Sequence, residues 1–461
     1  MSVVLTVMAA AAALALSALA LSSVREHEPL AARRATLLAV AVPLVLLAAA
    51  WIPVPGSGLV RWILALLGLG VPLVLAVPTG RPRDFARHDP PGRIDERCVM
   101  FSRAKLEPGT DRFREYYRLH PEHRTPDDNF RRLPGLLSPG GSKAEPLAFA
   151  AAGASFTAVE RLADLVEGEP APERVDADPE TLTRFVRGWA LKLGAADCGV
   201  TELRAEHLYS VKGRGAHWGE EVHLAHRWAV ALTVEMDHRM LLAAPDAPTV
   251  MESAQQYLAA GAIAVQIAVA LRALGWPAEA HIDAHYKVVC PLVARDAGLG
   301  EIGRMGLLMT PRLGPRVRIA VVTTEAPLLP SAPAFDPTVL DFCTLCEKCA
   351  RVCPTQAIPS GPMEVVDGVP RWKIDQEACY TFWCATGTDC GRCVRACPYS
   401  HPDSFLHNLV RAGTRNSALF RRVALWLDDL FYGRRPRPSP PPGWLPAGQV
   451  NSERRPIPPT R

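Results

Sequence analysis

A run of closely spaced cysteines is the feature that most constrains what this 461-residue chain can fold into. Cys343, Cys346, Cys349 and Cys353 follow the spacing C-x2-C-x2-C-x3-C-P. This spacing is typical of bacterial ferredoxins, in which three thiolates wrap one face of a [4Fe–4S] cluster and the fourth binds a second cluster. Such clustering within a long chain favours metal binding over a disulfide framework.

The second half of the cysteine pattern lacks one member. Cys390, Cys393 and Cys397 repeat the C-x3-C-P ending, so the missing ligand must come from upstream, with Cys379 expected and Cys384 the alternative. Paired zinc sites would also use four thiolates each, but the two endings favour iron–sulfur. Because ligands cross over between the clusters, we predict two sets: Cys343, Cys346, Cys349 and Cys397, and Cys353, Cys379, Cys390 and Cys393.

The N-terminal region is apolar enough to cross a membrane. Residues 2–24 carry no charge, and residues 36–53 and 58–77 form two further apolar runs, the last interrupted only by Arg61. A membrane-spanning helix needs about 20 predominantly apolar residues. A cleaved signal peptide would begin with basic residues and have a shorter apolar stretch. We therefore predict a membrane anchor, with three spans favoured over two.

The arginines beside these runs predict the orientation of the chain. One group precedes the second run and the other follows the third: Arg25, Arg33 and Arg34, and Arg81, Arg83 and Arg87. With three spans both groups lie on one side, and the positive-inside rule places that side in the cytoplasm. We expect a multi-pass protein of the inner cell membrane with a cytoplasmic catalytic domain, whereas two spans would reverse this topology.

The net charge of +4 is modest, and the basic residues form no long run. Nucleic acid is therefore not expected as a partner.

The middle of the chain shows patterns of both helices and strands. Apolar runs rich in β-branched residues predict strands, and helical spacing or a high alanine content predicts helices. The predicted strands are residues 228–234, 278–282 and 317–323, and the predicted helices are residues 181–193 and 253–274. This alternation predicts an α/β or α+β core, and we favour α+β.

A chain of this length is expected to contain several units. We predict six segments: a membrane anchor (1–80), a connector wrapping the core (81–180), the core (181–335), a two-cluster domain (336–405), a helical segment (406–432) that is basic on one side, and a disordered proline-rich tail (433–461).

A glycine-dense segment, D-A-G-L-G-E-I-G-R-M-G, occupies residues 296–306. Glycines let the backbone approach a neighbouring group closely, so the segment fits either a tight structural loop or a cofactor-binding loop. It is not the dinucleotide fingerprint, because no G-x-G-x-x-G opens a helix after a strand.

Taken together, these motifs resemble the reductive dehalogenase family and its relative, epoxyqueuosine reductase. They are E-S-A-x2-Y at residues 252–257, the glycine–arginine string of residues 298–318, and the cysteine segment at 342–398. The resemblance covers about residues 181–405. It implies a nitroreductase-like core that binds cobalamin and a ferredoxin-like domain whose two [4Fe–4S] clusters reduce cobalt.

The resemblance also implies roles for individual residues. Tyr257 matches the family's proton-donating tyrosine, and Arg318 matches the cation that supports it. A tyrosine packed on a helix face without a catalytic role is the alternative. Small residues at Gly261, Ala264 and Ala268 would leave space for a macrocycle or pack against another helix. The loop residues expected to contact cobalamin are Gly298, Leu299, Gly300, Gly303, Arg304 and Gly306.

Two features depart from the family pattern. Many members have an asparagine a few residues before the proline that matches Pro291, whereas this chain has Asp283 and His285 in that stretch. Either residue is a candidate for the asparagine's role; ligation of cobalt by His285 is disfavoured because Val288 replaces a required glycine. The second departure is that the chain carries its own apolar anchor.

We therefore predict a membrane-anchored, cobalamin-dependent reductase that cleaves a carbon–halogen or similar bond in a small molecule such as an organohalide. Its electrons would come from a quinol or a ferredoxin. The alternatives are an epoxyqueuosine-type reductase and a membrane-tethered, ferredoxin-like electron carrier without catalysis of its own.

Overall fold

The computed structural model describes residues 1–53, 56–80, 82–83, 85, 89–90, 92–332 and 335–445. Some sequence predictions fall outside these residues: Arg81 and Arg87 of the second arginine group, part of the loop at 54–57, and the tail from residue 446 onward.

The first seven α-helices occupy the N-terminal third of the chain. They are α1 (Ser2–Arg25), α2 (Pro29–Trp51), α3 (Gly58–Ala76), α4 (Met100–Arg103), α5 (Asp111–Leu119), α6 (Arg124–Arg131) and α7 (Pro146–Arg161).

Helices and strands then alternate through the middle of the chain. In order they are α8 (Pro179–Lys192), β1 (Asp197–Glu202), β2 (Trp228–Glu235), α9 (His238–Leu242), α10 (Pro248–Ala273), β3 (Ala278–His281), α11 (Cys290–Asp296), β4 (Glu301–Ile302), β5 (Leu308–Met309) and β6 (Val317–Thr324).

The cysteine-rich and C-terminal part is mainly helical. It contains α12 (Pro337–Cys346), α13 (Lys348–Val352), β7 (Glu364–Val366), β8 (Val369–Arg371), α14 (Gln376–Thr386), α15 (Arg392–Arg395), α16 (Phe405–Asn416) and α17 (Ala418–Phe431).

The elements divide into two units. One unit comprises residues 1–84, 337–346 and 401–439, and the other comprises residues 85–336, 347–400 and 440–461, within the parts of these ranges that are described.

In the first unit, α1 and α2 pack against each other through small residues. Ala20 of α1 and Ala31 and Ala35 of α2 are buried in one apolar cluster, and small side chains let helix backbones approach closely. The outward faces of both helices are apolar and exposed. At 24 and 23 residues these helices are long enough, at about 1.5 Å per residue, to cross a hydrocarbon layer of about 30 Å. The apolar part of α3 is shorter.

In the second unit, a four-stranded sheet has the order β1-β2-β6-β3. Every neighbouring pair is antiparallel, which makes the core α+β and excludes the α/β alternative. The two central strands are almost continuously apolar because both faces are covered: α8 and α10 lie on one face and α11 on the other. The predicted strands at residues 228–234, 278–282 and 317–323 match β2, β3 and β6.

The long helix α10 lies at the centre of this core. A Cβ atom added at Gly261 would come within 3.2 Å of Val159 on α7 and 3.5 Å of Ile282. Ala264 and Ala268 are also fully buried in the apolar core. The small residues on this face therefore serve helix packing.

The helical segment predicted at residues 406–432 consists of two helices, α16 and α17. The chain breaks at Ser417, whose backbone is extended and whose hydroxyl accepts a hydrogen bond from the Phe420 amide at 3.2 Å. A serine in this position caps the following helix and favours a new start over continuation.

Candidate functional site

Tyr257 and Arg318 meet on adjoining elements of the second unit. Tyr257 lies on α10, and Arg318 lies on β6. The guanidinium carbon of Arg318 is 4.8 Å from the centre of the Tyr257 ring, which is a cation–π distance. Ser253 stands one helical turn before Tyr257, so both side chains project toward the same arginine. The motif E-S-A-x2-Y thus places two of its members around one cation.

A buried carboxylate completes this arrangement. Arg318 Nη2 donates to Ser253 Oγ at 2.6 Å and lies 3.5 Å from Asp389 Oδ2, while Ser253 Oγ donates to the same carboxylate. Burial raises the pKa of Asp389, and Arg318 partly offsets this. Asp389 directly precedes Cys390, so the network joins the tyrosine to the cysteine-rich segment.

The phenol of Tyr257 experiences opposing effects. Arg318 lowers its pKa, but burial together with the nearby carboxylates of Asp283 and Asp389 outweighs this, and the net pKa is raised. The phenol therefore stays protonated at neutral pH. Protein surrounds the side chain closely, yet part of its surface remains accessible, as expected for a residue that lines a cleft.

The turn after β3 brings a second carboxylate to this cleft. Asp283 lies between Ile282 and Ala284 in a turn closed by paired backbone hydrogen bonds from Ile282 to His285. Ala284 has a φ of 63°, a left-handed conformation that is unfavourable for a residue with a Cβ atom. Burial raises the pKa of Asp283, against the opposing influence of Arg214 and Arg318.

Sequence reasoning missed Arg214. Its guanidinium lies over the Tyr286 ring at 4.9 Å, donates to the Tyr286 hydroxyl at 2.5 Å, and is 3.4 Å from the buried carboxylate of Glu96. It contributes to the field at both Tyr257 and Asp283. Arg214 lies in an irregular polar loop, so no periodicity or motif marked it.

Polar atoms near Arg318 fit a site that takes a polar ligand group. Among the described residues, Arg318 Nε and Asp389 Oδ1 are buried without a hydrogen-bond partner. Burying such atoms unsatisfied costs free energy, which binding of a polar group would recover. Arg214 and Arg318 both act on the partly accessible Tyr257 and Asp283, and these four residues define the region that we call the cleft.

Several of the predicted cluster ligands lie close enough in the second unit to act on Cys393: Cys353, Cys379 and Cys390 of the same predicted set, and also Cys349, which is predicted for the other set. Burial and the neighbouring thiols together raise the pKa of Cys379 to about 12 and that of Cys390 to about 11. Thiols this close cannot ionise together unless a cation compensates them. A [4Fe–4S] cluster provides that compensation and uses this donor set.

The two candidate thiols of α14 have different surroundings. Cys379 is influenced by Cys390 and Cys353, whereas Cys384 is buried in an apolar cluster with Met100 and Phe130. Five residues separate them, which places them about 140° apart around the helix. Only Cys379 therefore faces the other thiols.

The remaining four cysteines are buried, two in each unit. Cys343 and Cys346 lie on α12 in the first unit, and Cys349 and Cys397 lie in the second. Their assignment to one cluster stays a prediction.

The glycine-rich loop makes its contacts with protein atoms. A Cβ atom at Gly300 would lie 2.3 Å from the Met309 carbonyl oxygen, and one at Gly306 would lie 2.7 Å from Ile374. Gly300 thus lets β4 and β5 approach. Leu299 packs in the core beneath the sheet. Contact of this loop with cobalamin stays a prediction.

Arg304 of the same loop is also bound to protein. Its Nη1 donates to the carbonyl oxygens of Pro359 and Gly361, each at 2.8 Å, and its guanidinium stacks 4.5 Å from the Trp372 ring. The loop is thereby attached to the segment between the two halves of the cysteine pattern.

Comparison with known proteins identifies one domain type and several relatives. Residues 342–401 match the protein-family model for the 4Fe-4S dicluster domain. The chain is also related to curated enzymes. The tetrachloroethene reductive dehalogenase of Sulfurospirillum multivorans is 38% identical over 148 residues, which is 30% of this chain and 29% of that protein.

Two further curated relatives agree with this match. The tetrachloroethene reductive dehalogenase of Desulfitobacterium hafniense is 33% identical over 214 residues, or 44% of this chain and 38% of that protein. The epoxyqueuosine reductase of Listeria monocytogenes is 26% identical over 128 residues, or 24% of this chain and 30% of that protein. The chain thus spans less than half of the length of these relatives.

A solved structure has the same fold. The catabolic reductive dehalogenase NpRdhA superimposes with a TM-score of 0.62 at 23% identity, over 77% of this chain and 49% of that one. The expected resemblance to reductive dehalogenases is confirmed, as is the presence of a dicluster domain.

Proposed function

From the relationship of its core and cluster segment to reductive dehalogenases, we propose that this chain is a membrane-anchored, corrinoid-dependent reductase. The relatives are oxidoreductases, and several act on chlorinated ethenes by name. The observation that carries the proposal is the series of contacts that runs from Tyr257 to Arg318 by a cation–π contact, from Arg318 to Asp389 by an ion pair, and on to the adjacent Cys390. It links a proton-donating group to an electron-carrying segment.

Two [4Fe–4S] clusters would carry single electrons toward the core, which we propose to be nitroreductase-like. A corrinoid, when bound, supplies a cobalt centre that cleaves a carbon–halogen bond after reduction. The residues that would face it are those of the cleft: Tyr257, Asp283, Arg214 and Arg318. The glycine-rich loop remains a further candidate.

Tyr257 is the proposed proton donor. Its raised pKa keeps the proton on the hydroxyl until a substrate carbon needs it. Arg318, 4.8 Å from the ring, then stabilises the phenolate that remains. The ion pair of Arg318 with Asp389 fixes the guanidinium over the ring, so the cation need not reorganise during proton transfer.

The substrate class follows from the relatives and the charges of the cleft. We propose a small organohalide whose polar group is bound by Arg214 or Arg318, with Asp283 available as a hydrogen-bond partner. Asp283 lies in the stretch where many family members have asparagine, with His285 the other candidate for that role. Burial raises the pKa of Asp283, which favours a protonated carboxyl that can donate a hydrogen bond.

For the anchor, we propose that α1, α2 and α3 span the inner membrane and that the catalytic unit is cytoplasmic. The arginines at residues 25, 33 and 34 support this orientation. A quinol and a soluble ferredoxin both remain candidates for the electron donor.

Anaerobic reconstitution with cobalamin tests the proposal. We expect one corrinoid per chain, electron paramagnetic resonance signals of cobalt and of both clusters, and halide release when a strong chemical reductant and an organohalide are added. Protein that contains iron but binds no corrinoid would instead support the tethered electron carrier. Formation of queuosine in transfer RNA would support the epoxyqueuosine alternative, which the Listeria relative favours.

A further inference from the structure

The C-terminal helix α16 has its polar residues inside and its apolar residues outside. His407, Arg411 and Thr414 are buried, whereas Phe405 is 80% exposed and Leu409 is 59% exposed. A helix on the surface of a water-soluble protein has the reverse arrangement. The outer face of α16 is therefore suited to an apolar environment.

The buried polar groups of α16 have partners within the first unit. His407 Nε2 lies 2.9 Å from the Glu26 carboxylate, in the loop between α1 and α2. Arg411 binds the Asn408 side chain at 2.9 Å and the His401 carbonyl oxygen. The inward polar face is thus satisfied by protein, and only the apolar face lacks a covering group among the described residues.

The next helix, α17, has the same arrangement. Arg421 is buried, donating to the Thr414 carbonyl oxygen at 2.9 Å and pairing with Asp341 at 2.8 Å. Trp426 is 62% exposed, and Leu419 is exposed on the same helix face, seven residues earlier. Tryptophan is enriched where a protein meets the interface of a bilayer.

Both helices contact the proposed anchor at the ends that a three-span layout places on one side. Arg34 Nη1, early in α2, donates to the Leu430 carbonyl oxygen at 2.6 Å. The Ala418 amide donates to the Thr79 carbonyl oxygen at 2.7 Å, just after α3. With the Glu26 contact, these three attachments place the exposed apolar face next to the membrane boundary.

The charge of this region suits anionic lipid. Residues 401–439 contain seven arginines, three aspartates and no lysine or glutamate, an excess of four positive charges that equals the net charge of the whole chain. Arg422, Arg434 and Arg435 are exposed. Basic residues beside an apolar helix face are attracted to the negatively charged cytoplasmic leaflet.

We propose that α16 and α17 form a lipid-binding hairpin that inserts Phe405, Leu409 and Trp426 into the interface of the bilayer while arginines bind anionic headgroups. The inference rests on the proposed membrane anchor and extends it. Asp341, the partner of Arg421, lies on the cysteine-bearing helix α12. The hairpin would therefore hold Cys343 and Cys346 at the membrane surface.

Photo-crosslinking in vesicles tests the hairpin with the full chain. The variant Phe405→p-benzoylphenylalanine is reconstituted in phosphatidylcholine alone or mixed with phosphatidylglycerol, and irradiated. We expect lipid adducts, in several-fold higher yield with phosphatidylglycerol. The same replacement at Val365, equally exposed but in β7 of the second unit, is the control and should give no adducts.

The outcomes separate the hairpin from the anchor. Carbonate-resistant protein without lipid adducts at position 405 would overturn the hairpin alone. Adducts only to another protein in native membranes would also overturn it, since the face would then be a protein interface. Loss of carbonate resistance would overturn the anchor and the hairpin together. Finally, Arg422→Gln with Arg435→Gln should remove the dependence of adduct yield on phosphatidylglycerol.

Discussion

At the scale of single residues, the properties of the cleft depend on the two contacts that Arg318 makes. Arg318 faces a phenol on one side and a buried carboxylate on the other. The arginine lowers the pKa of Tyr257, but burial and the carboxylates of Asp283 and Asp389 together raise it by more. The result is a phenol that holds its proton at neutral pH beside a cation that can stabilise the anion after transfer.

Replacing Tyr257 by phenylalanine should retain corrinoid binding and lose turnover. A positioned proton donor is worth about 10²–10⁴-fold in rate, so kcat should fall by that factor. Halide release and the cobalt absorption spectrum, measured on the same sample, check this. Tyr116→Phe, which changes a buried tyrosine of α5, is the control, and full activity of the Tyr257 variant would remove the tyrosine from the mechanism.

Replacing Arg318 by methionine should destabilise the protein by about 3–5 kcal/mol, because it leaves the buried charge of Asp389 without its partner. Adding Asp389→Asn should recover part of that loss, so the two effects are not additive. Thermal unfolding of the single and double variants checks the coupling. Additive effects would show that the pair does not interact.

At the scale of elements, helix α14 carries two candidate thiols whose surroundings differ. Cys379 faces the other thiols, and Cys384 faces apolar side chains of the connector. Sequence spacing leaves both open, because both lie upstream of the incomplete run.

Cys379→Ser should halve the iron content, from about eight atoms to about four per chain, because one cluster loses a ligand. Cys384→Ser is the matched control and should keep about eight atoms per chain with both clusters. Iron analysis with electron paramagnetic resonance distinguishes these results. The reverse pattern would make Cys384 the ligand.

Strand β3 carries a buried carboxyl that should make stability depend on pH. Burial raises the pKa of Glu279 from 4.5 to about 7, although Lys287 is 2.9 Å away. Since the folded-state pKa is raised, this contribution to stability is complete below 4.5 and is lost as pH rises through about 7. The loss is about 3 kcal/mol at most.

The Glu279→Gln variant should therefore melt at a higher temperature than the parent at about pH 8 and at a similar temperature at about pH 5. Glu167, the other carboxylate on Lys287, has a lowered pKa, so Glu167→Gln should lower the melting temperature at about pH 8 and have little effect once the pH falls well below 4.5. Parallel pH profiles for parent and Glu279→Gln would contradict the assignment.

How far sequence alone predicts this molecule depends on the kind of signal. β2 and β6 are predictable because their β-branched, apolar runs fit a covered sheet. The outward apolar face of α16 and α17 is not predictable from the sequence. The sequence shows a basic side on these helices, and arginines are usually exposed, yet Arg411 and Arg421 are buried. Periodicity identifies helix faces but not which face lies inside. The position of Arg214 depends on the geometry of an irregular loop, which produces no recognisable pattern in the sequence.

At the scale of the whole molecule, the N-terminal helices and the C-terminal hairpin form one unit. Phe431 of α17 is buried against Ala31 and Ala35 of α2. The proposed anchor is therefore not a separable appendage, and its removal would expose an apolar surface on α17.

Deletion of residues 1–80 should not yield a monodisperse soluble protein. A soluble product would be expected if these residues were only a tether. The uncovered faces of α16 and α17 should make the truncated chain aggregate unless detergent or anionic vesicles are present. Size-exclusion chromatography with and without detergent checks this expectation. A monodisperse, detergent-free monomer would show that the hairpin does not need the anchor as a cover.

The left-handed backbone conformation of Ala284 affects how firmly the neighbouring Asp283 is held. A methyl group in a left-handed backbone costs about 1–2 kcal/mol, which glycine would avoid. Glycine would also allow the turn more backbone conformations, and the position of the Asp283 carboxyl would then be less well defined. With alanine at this position, the turn is strained but has few alternative conformations, so the carboxylate oxygens of Asp283 keep one direction.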